Sequence, residues 1–289
     1  MPYQIVVCVK QVPDTENLTG EAMKEDGTVN RAALPAIVNP EDLNALELGL
    51  ELKEQHGGTV TVLTMGAPSA ANELRQCLYR GADSAVLLTD RRLAASDTLA
   101  TSYALSCAVR AIGSPDLVLC GRQAIDGDTA QIGPQLAEKL ALPQFTYVEQ
   151  ILDVGPDSIE LRRALEDGYE VLRGPLPALL TVTSEANDPR PPSAKRLMKF
   201  KKARAPAELG QDDPQAETER LRAAGLLIEQ WDVDDVNADE DACGGSGSPT
   251  RVKKIESVRL QSEEHKRVEP TAEGLAELVD ELSEEHIFD

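Results

Sequence analysis

The sequence predicts an α/β fold with a doubly wound, mostly parallel sheet. Short runs rich in β-branched residues alternate with segments of helical periodicity through the first half of the chain. These runs are apolar at nearly every position, which is typical of parallel strands that are buried on both faces. Strand and helix units of this length favour right-handed crossovers between parallel strands. The four predicted strands are Gln4–Val9, Thr59–Met65, Ala85–Leu88 and Asp116–Cys120.

Four helices are predicted beside these strands. The first begins where Asn39, a residue type that caps helices, precedes Pro40 at the first helical position, and Gly57 ends it. The third begins at Ser96 in the same way and ends before Gly113, so both have a start signal and a stop signal. The predicted helices span residues 39–57, 69–80 and 96–112, and a fourth follows residue 129.

After Pro143 the hydrophobic period changes to that of short strands. A turn near Asp167-Gly168 joins two of these strands, which favours antiparallel pairing. We interpret the region as an antiparallel extension of the sheet, so the α/β domain is expected to cover residues 1–186. The predicted strands are Thr146–Val154, Ser158–Ala164, Tyr169–Arg173 and Leu179–Thr183.

The remaining third of the chain has a different composition. Residues 187–206 contain a proline-rich breaker and then six cations within ten residues, which predicts a basic loop that recognises a partner. Between Glu208 and Asp241 there are twelve acidic residues and two arginines, so residues 207–289 are expected to bury little of themselves. We predict that this acidic C-terminal arm packs on another protein through an amphipathic helix at 271–286. Its apolar stripe is Leu275, Leu278 and Leu282.

Charge and motif content exclude several classes of protein. The 289 residues include 29 Lys and Arg and 50 Asp and Glu, for a net charge of −21, which argues against binding nucleic acid. We expect no membrane insertion and no export signal, because no apolar run is long enough for either. Five cysteines without a C-x-x-C pair indicate reduced thiols in the cytoplasm. Three scattered histidines and the absence of phosphate-loop and hydrolase motifs predict no metal site and no catalytic residues.

The densest group of polar residues is the segment Gly121–Gly133, with the sequence GRQAIDGDTAQIG. It leaves the fourth predicted strand at its carboxyl end, where open parallel sheets bind ligands. Its glycines allow a close approach of the backbone, and a helix start after Thr129 favours an anion. Asp126 and Asp128 are suited to bind ribose hydroxyls or the amides of the loop itself. A well-capped turn without a ligand is the alternative interpretation.

Three other loops end at the same edge of the predicted sheet. They follow Val9, Met65 and Leu88, and the last one leads to hydroxyl and acidic side chains at the start of the third helix. We assign Asp97 to helix capping and expect Thr98 and Thr101, with free amides beside them, to bind a diphosphate. Capping alone is the simpler explanation for this helix start.

Five segments in order along the chain resemble the beta subunit of electron transfer flavoproteins. The resemblance implies an adenine-nucleotide-hydrolase-like α/β fold and a heterodimer with an alpha subunit that holds the electron-transferring FAD. In the common branch of the family the beta subunit holds AMP, and in the electron-bifurcating branch it holds a second FAD. The segments are CVKQVPDT (8–15), NPEDLNALE (39–47), TVLTMGAP (61–68), SDTLATSYALS (96–106) and CGRQAIDGDTAQIGPQLAE (120–138).

The resemblance implies an electron-carrier subunit and favours the bifurcating branch, with FAD as the cofactor, NADH as the hydride donor and Arg122 beside the flavin. AMP stays an alternative, as does a flavin-free nucleotide-binding stress or signalling protein. The candidate cofactor contacts are Cys8, Val9, Asn39, Pro40, Asp42, Thr64, Met65, Thr98, Thr101, Arg122, Gln123, Ala124, Asp126, Gly127, Asp128, Thr129, Ala130, Gln131, Ile132 and Gly133.

The basic segment resembles the family's recognition loop, which docks a dehydrogenase. Ala194-Lys195-Arg196 stands where the common branch carries a leucine anchor, so the redox partner, a dehydrogenase or a quinone-linked protein, stays open. The candidate partner contacts are Lys195, Met198, Lys199, Lys201 and Lys202, with Leu275, Leu278 and Leu282 for the alpha subunit.

Overall fold

The computed structural model describes residues 2–14, 35–210, 213–250 and 267–284. Nine of its strands form one sheet, and two short strands pair separately. The short pair is β2 (Gln11–Pro13) and β3 (Ala36–Val38). The large sheet contains β1 (Tyr3–Cys8), β4 (Gly58–Met65), β5 (Ser84–Leu88), β6 (Leu117–Gly121), β7 (Gln144–Val154), β8 (Ser158–Leu165), β9 (Gly168–Pro175), β10 (Ala178–Val182) and β11 (Glu229–Trp231).

The strand order is β11-β5-β4-β1-β6-β10-β7-β8-β9. The seven strands from β11 to β7 are mutually parallel, and only the β7–β8 and β8–β9 pairings of this sheet are antiparallel. This confirms the predicted mostly parallel α/β fold with an antiparallel extension. The extension is smaller than predicted, because β10 returns through the molecule to lie between β6 and β7 and parallel to both.

Helices cover both faces of the sheet. One face packs against the first two helices, and the other packs against the third and fourth, which is the doubly wound arrangement that the sequence predicts. The helices are α1 (Pro40–His56), α2 (Ala71–Arg80), α3 (Thr98–Ile112), α4 (Ile132–Leu140), α5 (Ala194–Phe200), α6 (Pro214–Ala223) and α7 (Ala272–Glu284). None of the helices in the described ranges is long and apolar enough to cross a membrane.

The C-terminal arm packs on its own chain over much of its length, which corrects the expectation that it buries little of itself. Its strand β11 pairs with β5 at one edge of the sheet. Ile228 lies in one core, and Val233, Val236 and Cys243 pack beside α3 in the other. Val233 and Val236 are single apolar residues among polar ones, and the run 226–228 is only three residues long, so the sequence does not predict this burial.

The chain order creates a crevice at the centre of the sheet. From β1 the chain adds β4 and β5 on one side, and then crosses over to place β6 on the other side of β1. Loops that leave β1 and β6 at their carboxyl ends therefore diverge to opposite faces, which is where ligands bind in folds of this class. The register pairs Val7 with Leu119, so the loops that begin at Val9 and Gly121 start side by side.

Candidate nucleotide-binding site

Asp42 joins the two loops that diverge from the crevice. Its carboxylate accepts hydrogen bonds from the amide of Lys10 after β1 (2.8 Å) and from the amide of Gly121 at the end of β6 (3.0 Å). A side-chain carbon at position 121 would lie 2.5 Å from the Asp42 carboxylate, so only glycine fits there. Asp42 was predicted as a cofactor contact, and the structure shows that it fastens the walls of the crevice.

The same carboxylate is buried, with 7% of the residue exposed. Burial raises the pKa of Asp42 to about 7, although the amides of Lys10 and Gly121 and the side chain of Asn39 act in the opposite direction. Proton binding at this residue is therefore coupled to the geometry of the crevice near neutral pH.

Glu41 holds the first residues of the candidate loop. Its carboxylate accepts a hydrogen bond from the amide of Gln123 (2.8 Å) and binds the guanidinium of Arg122 through Nε (3.1 Å) and Nη2 (3.0 Å). The Glu41 ion pair raises the pKa of Arg122 above its ordinary value. Arg122 therefore carries a positive charge in a fixed position beside β6.

The side chain of Asn39 does not cap α1, which corrects the role predicted for it. No capping hydrogen bond from this side chain is present at the helix start. The amide group instead donates to the carbonyl of Gln123 (2.8 Å) and accepts from the amide of Ile125 (3.1 Å). Pro40, beside it, is exposed at the first turn. The start of α1 thus binds the candidate loop through three polar side chains, those of Asn39, Glu41 and Asp42.

Ion pairing and strained backbone shape the rest of the loop. Lys10 reaches across the crevice to Asp126, with Nζ and Oδ1 2.6 Å apart, and Gln123 donates to Asp128 (3.1 Å). Asp128 and Ala130 have positive φ angles of 48° and 52°, which residues with side chains seldom adopt. Such strain is concentrated at functional sites, where the surrounding structure holds it in place. Ala124 and Gly127 belong to the turn between these anchors.

The start of α4 has amides without partners. Gln131 is its N-cap residue, and its side chain makes no capping hydrogen bond. In the part of the chain that the structure describes, the amides of Thr129, Ala130 and Gln131 donate no hydrogen bond. A helix start with free amides and a favourable dipole fits an anionic group such as a phosphate.

The residues that follow allow a close approach to this helix start. Gly133 is packed so tightly that a side-chain carbon there would lie 2.4 Å from Thr181, and Ile132 is half-buried in front of it. The first turn of α4 is therefore pressed against β10.

The start of α3 differs, and this corrects one prediction. Asp97 caps the helix as predicted, by accepting from the amides of Leu99 and Ala100 at 3.0 Å each. The amide of Thr101 donates to the Asp97 carbonyl. Three of the amides that were expected to be free beside Thr98 are thus occupied. The Asp97 carboxylate accepts from those of Leu99 and Ala100, and the Asp97 carbonyl accepts from that of Thr101.

One hydrogen bond connects the two helix starts. The Thr98 hydroxyl donates to the side chain of Gln131 at 2.7 Å, and Gln135 donates back to the same hydroxyl at 3.4 Å. The structure therefore brings the two predicted sets of site residues together at one edge. Thr101 lies half-buried one turn into α3.

The remaining candidates lie at strand ends beneath the loops. Cys8 and Val9 are buried, and Cys8 follows the register that places it beside Cys120. The hydrogen bond that the Cys120 thiol donates to Cys8, together with burial, raises the pKa of Cys120 well above its ordinary value, so this thiol is not activated as a nucleophile. Thr64 is 1% exposed within β4, and Met65 is the half-buried residue at the edge.

Sequence reasoning missed Lys10, Glu41 and Tyr147 at this edge. Lys10 and Glu41 lie within segments that were singled out, but their partners are 116 and 81 positions away in the sequence. Tyr147 lies at a bend in β7, and the guanidinium of Arg122 lies 5.7 Å from the centre of its ring. Nothing in the local sequence around Tyr147 indicates this contact.

The basic segment presents fewer free cations than its sequence suggests. Arg196 donates to the carbonyls of Leu78 and Ala82 and so caps the end of α2, and Arg204 donates to the carbonyls of Lys201 and Ala203. The Lys199 ammonium lies 4.6 Å from the ring of Phe200. The candidate contacts Lys195, Met198, Lys199, Lys201 and Lys202 are all exposed, and so are Leu197 and Arg204.

Helix α7 has an incompletely buried apolar stripe. Leu275 is 55% exposed and Val279 is 53% exposed, whereas Leu278 and Leu282 are partly covered. None of the described side chains of α7 is buried in the core.

Comparisons with known proteins agree with this architecture. Residues 26–208 match the family model of the electron transfer flavoprotein domain. The chain is 42% identical to the electron transfer flavoprotein subunit beta of Clostridium acetobutylicum over 98% of both chains. It is 44% identical to protein FixA of Azorhizobium caulinodans, covering 90% of this chain and 86% of that protein. It is 40% identical to subunit CarD of the caffeyl-CoA reductase-Etf complex of Acetobacterium woodii, covering 99% of this chain and all of that protein.

Proposed function

The chain belongs to the electron transfer flavoprotein family, as a beta-type subunit, and we propose that it holds an FAD at the carboxyl edge of its sheet. Members of this family are electron carriers. We further propose that the FAD takes part in flavin-based electron bifurcation when the chain is paired with an alpha subunit. NADH is the hydride donor in this proposal, and the chain itself supplies position and charge to the cofactor.

The free amides at the start of α4 carry the proposal. Thr129, Ala130 and Gln131 provide donors at the positive end of a helix dipole, and the strained residues Asp128 and Ala130 hold the backbone in that orientation. A phosphate placed there accepts several amide hydrogen bonds at once. The Thr98 hydroxyl, 2.7 Å from Gln131, extends the polar surface towards α3 for a second phosphate.

Arg122 supplies the charge that a flavin requires. A bound flavin provides the hydride and single-electron chemistry of the complex, and the protein tunes it through nearby charge. The Arg122 guanidinium is held by Glu41 at 3.0 Å and is 31% exposed on its side chain. A fixed cation at this position stabilises negative charge on a flavin ring placed beside it, and this favours the reduced, anionic form of the flavin.

AMP is the second candidate, and one observation favours it. The amides of Leu99 and Ala100 at the start of α3 are occupied by Asp97, so of these two helix starts the one of α4 offers more free amides. A mononucleotide requires one such set. The alternative of a flavin-free signalling protein has no support in the family match.

The proposed partners follow from the surfaces and the relatives. An alpha subunit is expected on α7, where Leu275 is 55% exposed, together with Leu278 and Leu282. The exposed lysines of residues 195–202 are expected to dock an acidic redox partner, a dehydrogenase or a quinone-linked protein. CarD is named as a subunit of a reductase complex, which supports an acyl-CoA reductase as partner. All five cysteines are free and buried, which is consistent with the proposed cytoplasmic location.

The ratio of flavin to heterodimer tests this proposal. The chain is co-expressed with its alpha subunit, and the denatured supernatant is analysed for FAD and AMP. Two FAD per heterodimer and no AMP is the expected result. One FAD with one AMP would replace the proposal by the mononucleotide alternative, and a colourless complex would refute both.

A further inference from the structure

Tyr147 has a backbone conformation that is costly for its side chain. Its φ angle is 57°, and no other aromatic residue among those described has a positive φ. For a bulky residue this conformation is a rare outlier that persists only where the surroundings impose it. The amide of Tyr147 donates to the Thr181 hydroxyl at 3.2 Å, and the pairing register of β7 with β10 shifts at this point.

The bend itself does not require a tyrosine. Beyond it, β7 leaves the parallel register and runs beside α1, since Leu152 and Val154 line a cavity together with Leu48 and Leu52. A glycine or an asparagine adopts a positive φ angle at lower cost and would make the same bend. The aromatic ring therefore has a role outside the turn.

The ring lies against the fixed cation of the candidate site. The Arg122 guanidinium lies 5.7 Å from the ring centre, and Glu41 binds the same guanidinium through Nε and Nη2. Tyr147 is 44% exposed, so Arg122 leaves part of the ring uncovered. An aromatic side chain that is strained, oriented and open is suited to stack on a planar ligand ring.

We propose that Tyr147 and Arg122 form a stacking platform for the isoalloxazine ring of the FAD held by this chain. The proposal rests on the proposed function and adds the residue that positions the ring. Tyr147 lies next to Val148, whose carbonyl accepts from Thr183 just beyond the end of β10, and Arg122 follows β6 directly. The platform is therefore at the same sheet edge as the start of α4, on the side of the crevice that α1 forms.

The test compares three variants of the complete heterodimer. Tyr147→Asn removes the ring but tolerates the positive φ angle, and Tyr147→Phe keeps the ring. Tyr169→Asn is the matched control, because Tyr169 is 63% exposed and has Arg162 5.2 Å from its ring centre on the β8–β9 hairpin. FAD content, the dissociation constant of FAD after dilution, the flavin absorption and circular dichroism spectra and thermal unfolding are measured for each.

Tyr147→Asn is expected to weaken FAD binding at one of the two flavin sites by about tenfold, within the range that aromatic stacking contributes. It should also change the visible circular dichroism of that flavin without lowering the unfolding temperature. Tyr147→Phe and Tyr169→Asn should bind FAD as the unsubstituted protein does.

Two FAD per heterodimer with unchanged affinity and spectrum in Tyr147→Asn would overturn the platform while leaving the proposed function intact. Loss of the alpha subunit from Tyr147→Asn would also overturn it, because the ring would then be a subunit contact. One FAD with one AMP in the unsubstituted complex would refute the proposed function first.

Discussion

The starts of α3 and α4 lie at the same sheet edge, yet their amides are used differently. At α3, Asp97 binds the amides of Leu99 and Ala100, and the arm adds a hydrogen bond from the amide of Thr250 to the same carboxylate (3.0 Å). At α4, the N-cap residue Gln131 makes no capping bond. The Asp97 carboxylate therefore occupies two amides in the first turn of α3 and disfavours an anion on them, whereas the uncapped start of α4 is open to a phosphate.

The largest effect is expected on the free energy of unfolding, when the C-terminal arm that packs beside α3 is removed. Truncation after Pro206 removes β11 and the buried side chains of Ile228, Val233 and Val236. Burial of each such side chain contributes about 1.5–3 kcal/mol, so the truncated chain should lose on the order of 5 kcal/mol and fail to fold stably. Urea unfolding followed by circular dichroism measures this loss.

Truncation after Thr250 is the matched control. It keeps β11 and the buried arm residues Ile228, Val233, Val236 and Cys243, and it removes the segment that contains α7. The shorter chain should fold and keep its nucleotide site, but it should no longer co-purify with the alpha subunit. A stable fold after truncation at Pro206 would show that the arm is dispensable for the α3 side.

The second largest effect is expected on nucleotide affinity, when α4 is given a capping carboxylate like that of α3. Gln131→Asp places a carboxylate at the N-cap, where it accepts from the amide of Gly133, since Pro134 has no amide hydrogen, and repels a phosphate bound beside it. Nucleotide affinity should fall more than tenfold, while stability of the stripped protein rises by up to about 1 kcal/mol. Gln131→Asn, a neutral capping residue, controls for the charge. Unchanged affinity in Gln131→Asp would show that the phosphate lies elsewhere.

A smaller effect, on the free energy of unfolding, is expected when the cap of α3 is removed. Asp97→Ala removes the acceptor of three amides and should lower the free energy of unfolding by about 1 kcal/mol. Nucleotide affinity should hardly change, because these amides do not face a phosphate in this account. A large loss of nucleotide in Asp97→Ala would make α3 the main phosphate site.

The pH dependence gives a second measure of the Asp97 cap. Burial raises the pKa of Asp97, but the amides of Ala100, Thr250 and Leu99 outweigh it and hold the pKa below its ordinary value. The stability from this carboxylate is therefore present above the unfolded-state pKa, and it is lost as the pH falls through the lower folded-state pKa. Asp97→Asn should remove this part of the acid destabilisation, as followed by unfolding at acidic and neutral pH.

The periodic parts of the fold were predictable from sequence. The strands of the parallel sheet and helices α1 to α4 lie within about two residues of their predicted bounds, because burial on both faces leaves continuous apolar runs. Strand β11 was not predicted, since Glu229–Trp231 is short and only half-buried. Val233 and Val236 are single apolar residues among polar ones, and their burial depends on packing that composition does not report.

The location of the candidate site could be predicted from the sequence, but the hydrogen-bond partners of its residues mostly could not. Gly121–Gly133 follows a strand end, and that position alone points to the crevice. The roles of Asn39 and Arg196 were wrong or missed because their partners are distant in sequence: Asn39 binds Gln123 and Ile125, and Arg196 binds Leu78 and Ala82. Local capping patterns do not distinguish a side chain that binds its own helix from one that binds a remote loop.

Hydrogen exchange at individual amides tests the comparison most directly. The heterodimer is measured with its nucleotide bound and after the nucleotide has been removed. The account predicts strong protection of the amides of Thr129, Ala130 and Gln131 on binding, with no change at Leu99 and Ala100, which Asp97 already occupies. Protection that appears at Leu99 and Ala100, with none at residues 129–131, would contradict it.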